Sequence, residues 1–187
     1  MNVSQLGVTE YTERGISCVK VENIEYFSVA KTFDCGQCFR FDAVKNSRHE
    51  AEFSGVAYGK LISFAQDGNT LFIYNATADE FESRWKSYLG LDMDYREIER
   101  QIINTAQSEH TARAAEQGRG IRILRQEPFE TLISFIISQN NNIPRIKKLV
   151  EALSARCGEK IEVSEAMEEH LSGISSLCAF PSAEIIE

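Results

Sequence analysis

The sequence predicts an α+β fold in which an antiparallel sheet comes first and helices follow. Three observations carry this. Up to Tyr74, stretches rich in β-branched and aromatic residues succeed one another at short intervals. After Asn75 the apolar spacing becomes helical, and Gln66-Asp67-Gly68-Asn69 supplies turn chemistry between two of the earlier stretches. Short links demand antiparallel pairing, because a parallel return needs a long crossover.

In chain order, the expected strands are Ile16 to Val21, Phe27 to Phe33, Phe39 to Val44, Glu50 to Tyr58, Lys60 to Ala65 and Leu71 to Tyr74. Phe81, Trp85, Tyr88 and Leu89 then share one helical face, with Asp79 the expected N-cap. Asp94 opens a helix through Ile98, Ile102 and Ile103, Ser108 opens a shorter one, and Gly118-Arg119-Gly120 breaks the pattern. Pro128 suits a first helical turn. The stretch that follows, through Phe129, Leu132, Ile133, Phe135 and Ile136, is apolar nearly all round and is expected to be buried. Asn140-Asn141-Asn142 makes a turn, since side-chain amides compete for backbone groups. Pro144 restarts a helix through Ile146, Leu149, Val150 and Leu153, and Gly158 ends it. Ser164 begins a short helix, and the residues after Phe180-Pro181-Ser182, up to Glu187, read as the start of another.

The 187 residues, 43% hydrophobic and 26% charged, suffice for a real core and exclude disordered and collagen-like classes. No long apolar run and no secretory leader pattern occur, so no membrane partner is expected. The expected location is cytoplasmic, at the nucleoid in a bacterial host. Five cysteines (Cys18, Cys35, Cys38, Cys157, Cys178) make an odd, uneven set, read as free thiols, and the three histidines do not cluster. No metal or other cofactor is expected.

Net charge is −8, which argues against a polyanionic partner until its distribution is considered. Between residues 119 and 158, seven basic residues (Arg119, Arg122, Arg125, Arg145, Lys147, Lys148, Arg156) face three acidic ones, a local net of +4. A nucleic acid would dock there.

Cys35-Gly36-Gln37-Cys38 has the spacing of half a zinc site or a redox pair. Zinc lacks a second ligand pair, and the strand pattern of Phe39-Arg40-Phe41 does not suit a redox motif, so two incidental thiols around a turn glycine is the better reading. Acidic pairs such as Asp92/Asp94 and Glu168/Glu169 are explained by caps and solvation. No Ser-His-Asp arrangement, P-loop or dinucleotide fingerprint is present. The segment Ser134 to Arg145 places short amides at a helix junction with Arg and Lys just beyond, suited to filling a gap in base pairing and meeting phosphate. On pattern alone, a capped helical hairpin with a solvated basic face explains it better.

Two separated motifs resemble the 8-oxoguanine DNA glycosylase family. One is Thr32-Phe33-Asp34-Cys35-Gly36-Gln37-Cys38-Phe39-Arg40-Phe41. The other is Gly120-Ile121-Arg122-Ile123-Leu124-Arg125-Gln126-Glu127-Pro128, running on to Ser138-Gln139-Asn140-Asn141-Asn142-Ile143-Pro144-Arg145-Ile146. Tyr88-Leu89-Gly90-Leu91-Asp92 and Phe180-Pro181-Ser182 fit in order. The resemblance implies an N-terminal antiparallel, TATA-binding-protein-like sheet domain over residues 1–118, with its sheet ending near residue 77. Over 119–187 it implies the first helices of a helix-hairpin-helix glycosylase domain.

It further implies a base-excision-repair enzyme, a DNA glycosylase with AP lyase activity, acting on double-stranded DNA that contains 8-oxoguanine opposite cytosine. Such an enzyme flips the damaged base out, attacks the sugar with a lysine aided by an aspartate, and is monomeric at full length. By the same resemblance Gly36 offers its carbonyl to N7–H of the lesion, a proton that guanine lacks, and only glycine lets the main chain come so close. Asn140 enters the gap, Arg145 reads the orphaned cytosine, and Phe135 lies near the lesion pocket. Asn141, Asn142 and Lys147 complete the DNA-facing set. Cys38 and Phe41 depart mildly from the family pattern. The resemblance puts the family's Gly-rich hairpin, its nucleophilic lysine and its catalytic aspartate beyond Glu187, the last residue of this sequence. These 187 residues are therefore expected to be inactive alone, and none of Lys147, Lys148 or Lys160 matches the nucleophile. The alternatives are an alkylpurine DNA glycosylase, disfavoured by the setting of Gly36 and the triple asparagine, and a non-catalytic damaged-DNA-binding module.

Overall fold

The computed structural model describes residues 6–171 and 177–186. Glu187, beyond which the lysine and aspartate are expected, lies outside the described residues. At the centre is a six-stranded antiparallel sheet in the order β1-β2-β6-β5-β4-β3. The strands are β1 (Gly7–Glu13), β2 (Ile16–Glu22), β3 (Phe41–Ala43), β4 (Ala51–Ala57), β5 (Lys60–Asp67) and β6 (Thr70–Tyr74). Two hairpins turn on paired residues with positive φ: Arg14-Gly15 (49° and 83°) joins β1 to β2, and Tyr58-Gly59 (51° and 70°) joins β4 to β5. Positive φ at both central residues gives a twist that matches the flanking strands. In the expected four-residue turn, Gln66 and Asp67 continue the ladder, and only Gly68-Asn69 turns, with Gly68 at φ 54°.

Both faces of the sheet are covered, which is why β5 reads as a nearly continuous apolar run. Ile62 and Phe64 point to one core with Phe33, Phe41, Trp85 and Tyr88. Leu61 and Ala65 point to the other with Ile16, Cys18, Tyr74, Met167 and Leu171. The aromatic rings of the first core are packed in contact, Phe64 stacking on Phe33 at 5.3 Å and meeting Trp85 edge-on at 5.9 Å.

The first core is closed by a helix where a strand was expected. Phe27 to Phe33 contains α1 (Val29–Phe33), because Ser28 caps it by accepting from Lys31 N–H at 3.2 Å, and Val29, Thr32 and Phe33 lie at helical spacing on its buried side. Its β-branched and aromatic composition suggested a strand, but the cap and the packing against β4 and β5 prevail. Strand β1 escaped the sequence reading because it is an edge whose alternation is blurred by partial exposure. The expected Phe39 to Val44 strand is shorter, as β3.

The next helical stretch runs as α2 (Ala78–Glu80), a π-helical turn (Phe81–Trp85) and α3 (Lys86–Tyr88). Thr77, not Asp79, caps it, in a reciprocal capping box with Glu80. Helix α4 (Tyr95–Thr105) is capped by Asp94 and α5 (Glu109–Gln117) by Ser108, as expected. An extended segment from Gly120 to Glu127 leads into α6 (Pro128–Ser138), followed by α7 (Ile143–Cys157), α8 (Glu165–His170) and α9 (Ala183–Ile186). Helix α8 lays Met167 into the second core, and His170 meets the buried Glu52 carboxylate at 2.8 Å.

Helix α6 departs from expectation. Leu132, Phe135 and Ile136 are 54%, 64% and 57% exposed, because the helix packs on α7 and against Phe180, whose ring meets Phe129, while its remaining face is uncovered among the described residues. An apolar face on a helix states a tendency to be covered and does not itself supply the cover. Among the described residues no helix is long and apolar enough to cross a membrane.

Candidate functional site

The residues singled out in the sequence fall on two parts of the molecule that the fold brings together. The first is the turn between α1 and β3. Gly36 adopts φ 82°, in the left-handed region that strains any residue with a Cβ. A Cβ placed there would lie 3.5 Å from Cδ1 of Ile143, the first residue of α7. The Gly36 turn therefore seats against the start of that helix. Among the described residues nothing donates a hydrogen bond to the Gly36 carbonyl.

The turn owes its shape to Gln37. Its side-chain amide donates to the carbonyls of Thr32 (2.9 Å) and Arg122 (2.8 Å) and accepts from Leu124 N–H (2.9 Å). Its main-chain carbonyl accepts from Gln126 Nε2 at 2.7 Å. Thr32 and Ser28 add bonds to Gly120 and Arg122, so α1 and the turn are stitched along the extended segment.

That segment is itself anchored by Arg122, only 5% exposed. Its guanidinium donates to the carbonyls of Glu25 (2.9 Å), Tyr26 (3.0 Å), Gly90 (2.5 Å) and Met93 (3.2 Å) and lies 4.5 Å from the centre of the Tyr95 ring. No carboxylate among the described residues bonds it. Burial pulls its pKa down, against the opposing pull of Tyr95, Asp92 and Asp94.

The second part is the α6–α7 connection. Asn140 is exposed and left-handed at φ 53°, a conformation asparagine tolerates. Asn141 donates to the Ile137 carbonyl at 3.2 Å, and Asn142 caps α7 by accepting from Arg145 N–H at 3.1 Å. The Arg145 side chain is exposed and has no carboxylate partner among the described residues. Phe135 stands on the uncovered face of α6.

The basic stretch is largely committed within the fold. Arg119 pairs with Glu99, Arg125 with Asp92, and Arg122 is buried. Lys147 donates to the Phe41 carbonyl and to Asp42, both at 2.7 Å, pinning α7 to β3 across 106 residues of sequence in the first case. Arg145, Lys148 and Arg156 are the members without a side-chain partner among the described residues. The local net of +4 thus overstates the charge presented to a polyanion.

Burial pushes Cys38 up to about 12, which opposes the thiolate that zinc or redox chemistry requires, and exposed Cys35 donates to the Thr32 carbonyl at 3.3 Å. Beneath the turn, Arg40 is buried and donates to the Cys178 carbonyl, with Glu130 close by. Burial raises the Glu130 carboxyl to about 7, against the pull of Arg40, with Glu127 adding to the rise.

Sequence reasoning did not single out Gln37 and Gln126 and read Arg122 only as one of seven basic residues, although all three lie inside the quoted motifs. Their pairing has no local period to betray it. The one available signal was the placement of two amide residues, Gln37 and Gln126, outside the regular elements.

Comparison with known proteins follows the same map. Residues 19–132 match the family model described as 8-oxoguanine DNA glycosylase, N-terminal domain. The chain is 45% identical over 65 residues, 35% of its length, to an N-glycosylase/DNA lyase of Saccharomyces cerevisiae, of which this is 15%. It is 30% identical over 129 residues, 66% of its length, to N-glycosylase/DNA lyase OGG1 of Arabidopsis thaliana, of which this is 34%. The 8-oxoguanine glycosylase/lyase of Clostridium acetobutylicum superposes with TM-score 0.80 at 35% identity in its apo form, over 96% of this chain and 56% of that one. The same enzyme bound to double-stranded DNA with cytosine opposite 8-oxoguanine also gives 0.80, at 35% identity over 95% and 55%. The chain spans little more than half of these solved relatives and about a third or less of the curated ones.

Proposed function

This chain belongs to the 8-oxoguanine DNA glycosylase family, and on that footing we propose that it carries the surface with which such an enzyme reads 8-oxoguanine opposite cytosine in duplex DNA. The observation that supports this best is the seating of the Gly36 turn against the first turn of α7, beside the asparagine-rich connection. The Gly36 carbonyl meets N7–H of a flipped 8-oxoguanine. Guanine would bring a lone pair to the same place, and the mismatch costs about 1–3 kcal/mol. Asn140 enters the space the base leaves. Arg145, exposed and without a carboxylate partner among the described residues, donates to the acceptor edge of the orphaned cytosine. Phe135 supplies an apolar wall for the extruded base, and Asn141, Asn142 and Lys147 hold the connection and α7 in place.

Excision and strand cleavage belong in this proposal to the activity of the whole protein. The nucleophile is assigned to none of Lys147, Lys148 or Lys160. Lys147 is held by Phe41 and Asp42. A borohydride-trapped adduct between this chain and an 8-oxoguanine:cytosine duplex would overturn that assignment.

Binding to duplexes carrying 8-oxoguanine:cytosine, guanine:cytosine and 8-oxoguanine:adenine tests the reading. The first is expected to bind tightest, and Arg145→Ala to erase the preference for cytosine, worth about 1–3 kcal/mol. Equal affinity of the unaltered chain for the first two duplexes would refute it.

A further inference from the structure

We infer that Gln37 is the residue that aims the Gly36 carbonyl, and so sets how well the site tells 8-oxoguanine from guanine. The inference rests on the reading of Gly36 given above and goes beyond it, because Gln37 itself meets no base in that reading.

The carbonyl in question belongs to the peptide plane shared by Gly36 and Gln37. A glycine with φ 82° has little of its own to hold that plane, since it lacks the Cβ that would restrict rotation. Whatever fixes the plane must act from the Gln37 side. There the structure supplies a clamp on both ends of the residue. The side-chain amide donates to Arg122 O at 2.8 Å and accepts from Leu124 N–H at 2.9 Å, the two groups that flank Ile123. This is the pattern with which a parallel strand's peptide would pair there, reproduced by a side chain. The same amide nitrogen reaches Thr32 O at 2.9 Å, closing the turn from its other end. Gln126 holds the Gln37 carbonyl at 2.7 Å, so the next peptide plane is fixed as well.

Glutamine suits this position because it carries a donor and an acceptor on one planar head. A glutamate would keep the bond from Leu124 but set negative oxygen against the Thr32 and Arg122 carbonyls. A methionine would keep the length and volume and lose every bond. The carbonyl that must distinguish a proton from a lone pair is thus aimed by a clamp whose far side, Arg122 to Gln126, is held in turn by the buried Arg122 guanidinium.

The experiment compares this chain with its Gln37→Met and Gln37→Glu variants on three duplexes: 8-oxoguanine:cytosine, guanine:cytosine, and a tetrahydrofuran abasic analogue opposite cytosine. Both variants are expected to lose about tenfold or more of the 8-oxoguanine-over-guanine affinity ratio, a loss of about one hydrogen bond's discrimination. Binding to the abasic analogue, which presents no base to the carbonyl, is expected to stay within about threefold. A merely structural role would weaken all three together and leave the ratio intact, and that result overturns the inference, as does an unchanged ratio. If the Gln37 variants fail to fold, Gln126→Met removes only the outer bond. A smaller loss of the ratio in the same direction is expected, and an unchanged ratio overturns the inference. An unaltered chain without preference for 8-oxoguanine would instead refute the reading of Gly36 before any variant is compared.

Discussion

Replacing Arg122 by leucine tests whether a buried charge held by carbonyls alone keeps the segment from Gly120 to Glu127 in place. Four carbonyls, those of Glu25, Tyr26, Gly90 and Met93, would lose their donor, and the Tyr95 ring would lose the cation beside it. A buried acceptor stranded in this way costs about 1–3 kcal/mol. The four costs do not add, because water reaches some acceptors and the leucine removes the desolvation penalty of the guanidinium itself. A net loss of about 3–5 kcal/mol is expected, a large share of a stability of about 5–15 kcal/mol. Arg122→Lys keeps the charge but offers a compact ammonium with no fork, and should fall between the leucine variant and the unaltered chain. Urea unfolding followed by fluorescence reads this cleanly, since Trp85 is the single tryptophan and is fully buried. With no carboxylate among the described residues bonded to Arg122, the loss should be the same at pH 5 and pH 8. A loss below about 1 kcal/mol would refute the account of the anchor.

Three further outcomes follow from the packing and the charges. Gly55→Ala would put a Cβ 2.0 Å from the Arg40 carbonyl oxygen, so β3 must separate from β4, and urea unfolding should show a loss above about 3 kcal/mol, against about 1 kcal/mol for Gly68→Ala in open space. Glu130 titrates at about 7 in the folded chain but at about 4.3 once unfolded, so the folded state binds the extra proton between those values and stability falls as pH rises through them. Glu130→Gln should therefore be more stable than the unaltered chain at pH 8 by about 1–3 kcal/mol and show a flatter profile from about pH 4 to 7; equal stability at pH 8 would refute this. The uncovered face of α6 should make this chain self-associate, and Leu132→Ser with Ile136→Ser should lower its weight-average mass in sedimentation, whereas a chain already monomeric at high concentration would contradict it.

How far the molecule could be read from its sequence differs from element to element for physical reasons. Strands β4, β5 and β6 were legible because their composition, their turn residues and their burial agree, and the helix starts at Asp94, Ser108 and Ser164 because a cap is a local signal, as is the first-turn proline Pro128. Helix α1 differs from the expected strand because Val29, Thr32 and Phe33, strand-forming types, stand at helical spacing behind the Ser28 cap. Burial of α6 was misjudged because the cover for an apolar face lies outside the helix's own sequence. For the candidate site, Gly36, Asn140 and Arg145 were reached through the family resemblance, not through periodicity. The Gln37 clamp was reached by neither, since its partners at Arg122 and Leu124 lie 85 and 87 residues away.

That separation also gives the molecule a clock. Every strand of the sheet is complete in sequence by Tyr74, so the sheet can form while the rest of the chain is still being synthesised. The Gly36 turn must wait for Arg122, Leu124 and Gln126, which at ribosomal rates follow about 3–10 s later. Loop closure over such a distance carries its entropic cost before any bond repays it, so the turn should set after the sheet in refolding as well. Pulse-labelled hydrogen exchange should find β5 and β6 protected before the Leu124 amide, and simultaneous protection would show that the sheet and the clamp form as one unit. A nascent chain released short of residue 122 would then hold all six strands, one face still without Met167 and Leu171, and a glycine turn with no fixed aim.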